Sequence, residues 1–241
     1  AQSVTNSLDT TAPTFTADRT ALNTIVLTFN EVVTGSAISG SFTVVGSGTV
    51  TNTAPSSSTT VTLTTSGLTS TSSTPAVNYV AATGDIVDAG TNEVANGGAI
   101  SATDSVPPTF TADRTALNTI VLQFSEAVDT STSTDTDSFT VVGASAVSAV
   151  DNGGTTITLT TTGLTATDGT PAVNYVAGSG DVVDASSSGV VALADGGNVS
   201  AADSVPPTFS SASTTVVNRI DVTFSEAMAD PGATPGDFVV A

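Results

Sequence analysis

The sequence predicts an all-β chain of tandem two-sheet Greek-key sandwiches, and three observations carry that prediction. Val, Ala, Leu and Ile supply most of a 39% apolar share, and Ser with Thr make up 78 of the 241 residues, a β-branched composition that suits strands. Short runs of alternating apolar and polar residues are separated by clusters of Gly, Ser, Asp and Asn, the pattern of half-buried strands joined by turns. The chain also repeats itself. Pro13 to Leu27 reads PTFTADRTALNTIVL, and the same residues return unchanged at Pro108 to Leu122.

The repeat fixes the organisation. A third, diverged copy begins at Pro207, and the register is held by Phe42 with Phe139 and Phe238, Leu68 with Leu164, Tyr79 with Tyr175, and Asp85 with Asp181. A period of 95 to 100 residues is too long for a solenoid repeat and fits a whole sandwich of ~100 residues.

In the first copy the opening strand is expected around Thr14 to Asp18. Thr24 to Phe29 is the clearest strand, with Ile25, Leu27 and Phe29 facing a core and Thr24, Val26 and Thr28 facing out. The third copy agrees, because Arg219 and Asp221 both fall on the outward face of Arg219 to Phe224. Further strands are expected at Phe42 to Val45, Thr60 to Thr64, Val77 to Val80 and near Val94 to Ile100, six or seven per copy, and no stretch sustains a helical period. This spacing predicts an immunoglobulin-like sandwich with Phe29, Phe42 and Tyr79 as large core residues. Tyr79 and Tyr175 fit either corner tyrosines or plain core packing, and core packing asks for less.

Boundaries are expected at the joints Asp9 to Pro13, Asp104 to Pro108 and Asp203 to Pro207. Proline fixes φ there and holds the preceding residue extended, which makes the joints short and stiff. The domains are therefore read as 8–103, 104–203 and a partial third at 204–241, strung as a rod of beads. The third stops after an expected strand at Phe238 to Val240. A half sandwich leaves its core face and strand edges bare. Either the sequence is a piece of a longer array, the preferred expectation, or another subunit donates strands.

Charge and absences narrow the chemistry. Three basic residues (Arg19, Arg114 and Arg219) against 22 acidic ones give a net charge of −19, which repels nucleic acid and anionic membrane faces. The chain has no His, Cys, Lys or Trp. Without them no Ser-His or Cys-His pair, Schiff base or phosphate-loop lysine can form, and only oxygen donors for hard cations remain. Zero cysteine removes a disulfide framework without deciding the compartment. No run of 18 apolar residues offers a membrane span. Ala1 to Leu8 has neither a basic nor an apolar signal region, and an Ala-Gln start suits the product of signal cleavage.

The run Pro107-Pro108-Thr109-Phe110, followed by Ile120, Leu122 and Phe124-Ser125-Glu126-Ala127-Val128, resembles the Pro-Pro start and Phe-Ser-Glu-Pro strand end of bacterial and archaeal Ig-like surface repeats. These include SbsA-type S-layer domains and related archaeal S-layer repeats. Phe29-Asn30-Glu31-Val32-Val33 and Phe224-Ser225-Glu226-Ala227-Met228 match in the same way, and Tyr79 to Ala89 and Tyr175 to Ala185 are similar to the family's final strand and loop. The resemblance covers nearly the whole chain and implies an Ig-like fold in an extracellular, cell-surface setting. The proline after Glu is missing in every copy, the loop between the first two strands is shorter than usual, and no wall-anchoring module is visible.

Carboxylates are the one polar constellation to weigh. Glu31 and Glu126 close the second strand, Asp85 and Asp88 or Asp181 and Asp184 sit in a late loop, and Asp9, Asp104 and Asp203 begin the joints. If the late loop meets the next joint at a domain end, these carboxylates with backbone carbonyls suit calcium, which takes six to eight oxygen ligands. The metal candidates are therefore Glu31, Asp85, Asp88, Asp104, Glu126, Asp181, Asp184 and Asp203. The plainer alternative is that they are solvated charges and turn formers. Asp129 to Asp137 lacks the glycine and closing Glu of an EF-hand. Glu31 with Asp85 as a glycosidase pair would need a cleft with aromatic sugar platforms, and two tyrosines and no Trp do not supply one. The sequon Asn198-Val199-Ser200 has no counterpart at Ala99-Ile100-Ser101, so a glycan is not built into the repeat. The expected role is structural, with no catalytic residues: an S-layer subunit or segment whose partners are divalent cations and copies of itself. The alternative is an adhesin or filament subunit completed by strand addition.

Overall fold

The computed structural model describes residues 9–36, 40–71, 73–129, 138–177, 182–185 and 192–228. It divides into two compact units. The first runs to Thr109 and takes in Ser125–Asp129 and Val183–Leu193; the second holds Phe110–Phe124, the stretch up to Val182, and the chain from Ala194. No helix occurs among the described residues.

The first unit contains β1 (Phe15–Ala21), β2 (Thr24–Val33), β3 (Phe42–Val44), β4 (Val50–Asn52), β5 (Ser58–Thr65), β6 (Ala76–Tyr79), β7 (Gly97–Ser101) and β8 (Thr103–Asp104). One sheet has the order β4-β5-β2-β1-β8 and the other β3-β6-β7. Taken in chain order, these are the A-B-E-D and C-F-G sheets of an immunoglobulin sandwich. All pairs are antiparallel except β1 with β8, which run parallel.

Alternation fixes which faces meet. Ile25, Leu27 and Phe29 are buried as expected, opposite Leu63 and Val61 on β5. Phe15 links the two sheets, its ring 5.5 Å from Phe29 and 6.1 Å from Phe42, and Phe42 lies 5.2 Å from Tyr79. Such tilted and edge-on contacts add to area burial.

The second repeat supplies β9 (Phe110–Ala116), β10 (Thr119–Phe124), β11 (Val128–Asp129), β12 (Phe139–Val141), β13 (Ala146–Asp151), β14 (Thr156–Thr162), β15 (Ala172–Tyr175), β16 (Val183–Asp184), β17 (Gly196–Ser200) and β18 (Ala202–Asp203). Its sheets, β13-β14-β10-β9-β18 and β12-β15-β17, repeat the first topology. Phe110 lies 5.7 Å from Phe124 and 6.2 Å from Phe139, which is 5.3 Å from Tyr175. The short pair β11-β16 belongs to the first unit. The third copy forms the hairpin β19 (Phe209–Val216) and β20 (Arg219–Phe224), with Phe209, Val216 and Ile220 exposed. The strand expected at Phe238 to Val240 lies outside the described residues.

Three local readings are corrected. The strand placed near Val94 to Ile100 is β7, Gly97–Ser101; Val94 sits in the loop before it, bonded to Ile86 O. β4 and β8 raise the first copy to eight strands. Tyr79 packs in the core, but its hydroxyl also works: it accepts the Ile86 N–H at 3.0 Å and donates to Glu93 at 3.0 Å. Burial pushes its pKa up to about 12. Tyr175 accepts the Val182 N–H at 3.1 Å in the same way. Each tyrosine therefore pins the late loop two residues ahead of an aspartate, Asp88 or Asp184.

Candidate functional site: two carboxylate triads

The residue before the glutamate is fixed in the same way in all three copies. Ser125 N–H donates to Thr109 O at 2.8 Å, and Thr109 N–H returns to the Ser125 hydroxyl at 3.0 Å. Asn30 with Thr14, and Ser225 with Thr208, form the same reciprocal pair. The glutamate follows immediately, as Glu31, Glu126 or Glu226. Each joint opens on an Asx turn: Asp9, Asp104 and Asp203 accept the amide two residues on, at 3.0, 3.1 and 3.0 Å. The turn-forming role thus accounts for one carboxylate oxygen of each joint aspartate.

The remaining oxygens converge. Asp104, Glu126 and Asp184 each offer a carboxylate oxygen within 4.8 Å of the other two, and all three residues lie in the first unit. They are 1%, 3% and 2% exposed. Both Glu126 oxygens and Asp104 Oδ2 are buried without a well-formed hydrogen bond; the Thr71 hydroxyl, near enough to hold the Glu126 carboxyl down slightly, donates to Ser125 O at 3.4 Å. Burial, then the charges of Asp184 and Asp104, push the Glu126 carboxyl up to about 7, with Arg19 opposing. Asp104 is also raised, chiefly by burial, against the Val106 amide. Buried carboxylates without partners are costly. An oxygen-ligated cation would satisfy them, and the donor set fits calcium, whose coordination tolerates irregular geometry.

The first copy builds the same group from Asp9, Glu31 and Asp88, also within 4.8 Å but more open, with Asp9 exposed and Glu31 half-buried. Asn92 holds Asp88 through its N–H at 2.8 Å and its side-chain amide at 2.8 Å. Those bonds keep the Asp88 pKa below its usual range, whereas burial and then the charges of Asp88 and Asp9 raise that of Glu31.

The expected set is therefore sorted. Glu31 and Asp88 come together with Asp9, and Glu126 and Asp184 with Asp104. The joint that joins each late loop is the one before it, not the next, because the loop between β6 and β7 lies at the end where β1 begins, and β7 then runs back across the sandwich. Asp85 stands outside the triad and accepts the Ser36 N–H at 2.9 Å. Asp203 is exposed and keeps its Asx turn. Asp181 lies outside the described residues.

Arg19 is more than a surface charge. It is fully buried, donating through Nη1 to Thr71 O at 2.9 Å and to Ser73 O at 3.0 Å, and through Nη2 to Leu22 O at 3.0 Å and Ser70 O. Arg114 repeats this on Gly169 O at 3.0 Å and Leu117 O at 2.7 Å. The signal was available: Arg19 follows Phe15 and Ala17 in strand alternation and so belongs on the core face. A hollow of about 360 Å³ lined by Phe42, Val44 and Val50 holds no carboxylate.

No family model matches the sequence, and no curated protein matches it either. Among solved structures the chain is similar to FdeC, an Escherichia coli adhesin, at 15% identity over 79% of this chain and 64% of that one, with a TM-score of 0.27. The match spans less than two thirds of that chain, and a likeness of this degree carries no argument about role.

Proposed function

We propose that the chain is a structural segment of an extracellular surface protein, in which immunoglobulin-like sandwiches bind calcium at their proline joints and assemble with copies of themselves into an S-layer lattice. The supporting observation is the buried triad of Asp104, Glu126 and Asp184, with three carboxylate oxygens lacking partners. Its ligands come from the joint, the end of β10 and β16, so an ion there would tie three separate stretches of chain together. The charge of −19 suits a surface that gathers divalent cations and is screened by them. Asn198 of the sequon is exposed on β17, and a glycan there belongs to the same proposal.

Chelation tests it. Calcium should raise the melting temperature, EDTA should lower it, and Glu126→Gln should remove most of the difference; an unchanged melting temperature in EDTA refutes the calcium role. Negative-stain microscopy of the native envelope tests the assembly, since ordered sheets support a lattice. Isolated fibres would favour a second reading, an adhesin or filament assembled by strand addition. That reading draws on the β19-β20 hairpin, where Phe209 and Ile220 are 61% and 44% exposed.

A further inference from the structure

The buried arginine stands beside the cation triad without pairing to it. Arg19 and Asp104 are cross-strand partners in the parallel β1-β8 pair, and Ser105 N–H donates to Arg19 O at 2.9 Å. Yet the hydrogen bonds of the guanidinium go to Leu22, Ser70, Thr71 and Ser73, and Nε has no partner. Locked onto those acceptors, Arg19 does not swing over to neutralise a carboxylate. Its positive charge is nevertheless felt at Asp104, where the Asp18 carboxylate opposes it, and at Glu126. The loop it grips carries Thr71, whose hydroxyl reaches Ser125 O, one residue before Glu126.

The same parts recur in the second unit. Arg114 pairs across with Asp203, Ser204 N–H donates to Arg114 O at 3.0 Å, and Thr167 in the gripped loop donates to Ser225 O at 3.4 Å, one residue before Glu226. There too a glutamate oxygen, Glu226 Oε1, is buried without a partner. The triad of Asp9, Glu31 and Asp88 differs. Among the described residues no arginine accompanies it, and Asn92 attends Asp88 instead.

We propose that Arg19 is a charge-setting residue of the Asp104 site: its fixed positive charge offsets one of the negative charges gathered there and so weakens the preference of the site for a trivalent over a divalent ion. This rests on the triad being a cation site, and it adds a selectivity which that reading alone does not supply. In a poorly solvated site one neighbouring unit of charge shifts relative affinities by about tenfold. The Asp9 triad, which has no arginine beside it among the described residues, should therefore prefer trivalent ions more strongly than the Asp104 triad.

The test uses the full chain with calcium and terbium(III) in competition, read by terbium luminescence. In a Glu31→Gln background, which isolates the Asp104 site, Arg19→Met should raise the terbium-to-calcium preference by about tenfold. Arg19→Lys, which keeps the charge but not the fork, should leave that preference unchanged. An unaltered preference in the Met variant overturns the proposal, whereas absence of calcium binding in the Glu31→Gln parent overturns the cation reading beneath it. Should Arg19→Met fail to fold, the Glu126→Gln protein retains only the arginine-free Asp9 site. A higher terbium preference there than in the Glu31→Gln protein supports the role; an equal or lower one, or no terbium bound, overturns it.

Discussion

Glu126→Gln gives the sharpest reading of the site, because its effect on stability changes sign with metal. The Glu126 carboxyl titrates at about 7 in the folded, metal-free chain, against an ordinary 4.5. Between those values the folded state holds a proton that the unfolded state has released, so stability falls as pH rises through that window. Full linkage over about 2.5 units corresponds to about 3 kcal/mol. Solvent screening brings this to roughly 1–2 kcal/mol, or some 4–16 °C in melting temperature for a sandwich of ~100 residues. The assay is a melting series from pH 4 to 8 in EDTA for both proteins, read as the difference between them so that the other carboxylates cancel. Wild type should lose stability relative to Glu126→Gln from about pH 4.5 upward. With calcium the order should reverse near neutral pH, because the ionised carboxylate is then a ligand and glutamine a poor one. Parallel curves in EDTA would show that Glu126 is solvated and hydrogen-bonded, and the argument from its burial would fail.

Other substitutions probe the scaffold. Tyr79→Phe leaves the Ile86 N–H buried without its acceptor, a loss of about 1–3 kcal/mol measurable by urea unfolding; it should also weaken calcium at the Asp9 triad by loosening the loop that carries Asp88. Phe42→Ala removes the ring between Phe15 and Tyr79 and should cost about 3–5 kcal/mol, again by urea unfolding. Ile220→Ser, at an exposed position, should move the melting temperature little, within about 0.5 kcal/mol.

Strand alternation made the sheets legible where a face is fully buried. Ile25, Leu27 and Phe29 could be placed inward because a one-residue slip would expose all three. β4 and β8 gave no such signal: Val50–Asn52 and Thr103–Asp104 are too short for a period, and backbone pairing with β5 and β1 makes them strands. The carboxylates were recognisable as a group, but their partners depended on topology. A meeting of the late loop with the next joint at a domain end is what the sequence suggests, whereas the antiparallel path of β6 and β7 returns Asp88 to Asp9. Arg19 was legible in principle, since alternation from Phe15 already pointed it inward.

The parallel β1-β8 pair explains why an arginine of one repeat attends the carboxylates that open the next. β8 is the last strand of its repeat and leaves directly into the joint, so whatever precedes the joint proline lies beside β1. Placing Asp there brings it next to Arg19; the following β10 then delivers Glu126, and the late loop delivers Asp184. No step needs a dedicated insertion, because the chain passes each point in the course of closing one sandwich and starting another. The diverged third copy shows which parts this logic requires. It keeps Asp203 across from Arg114 and Ser225 in reach of Thr167 but replaces the interior of the opening strand by Ser210-Ser211-Ala212-Ser213.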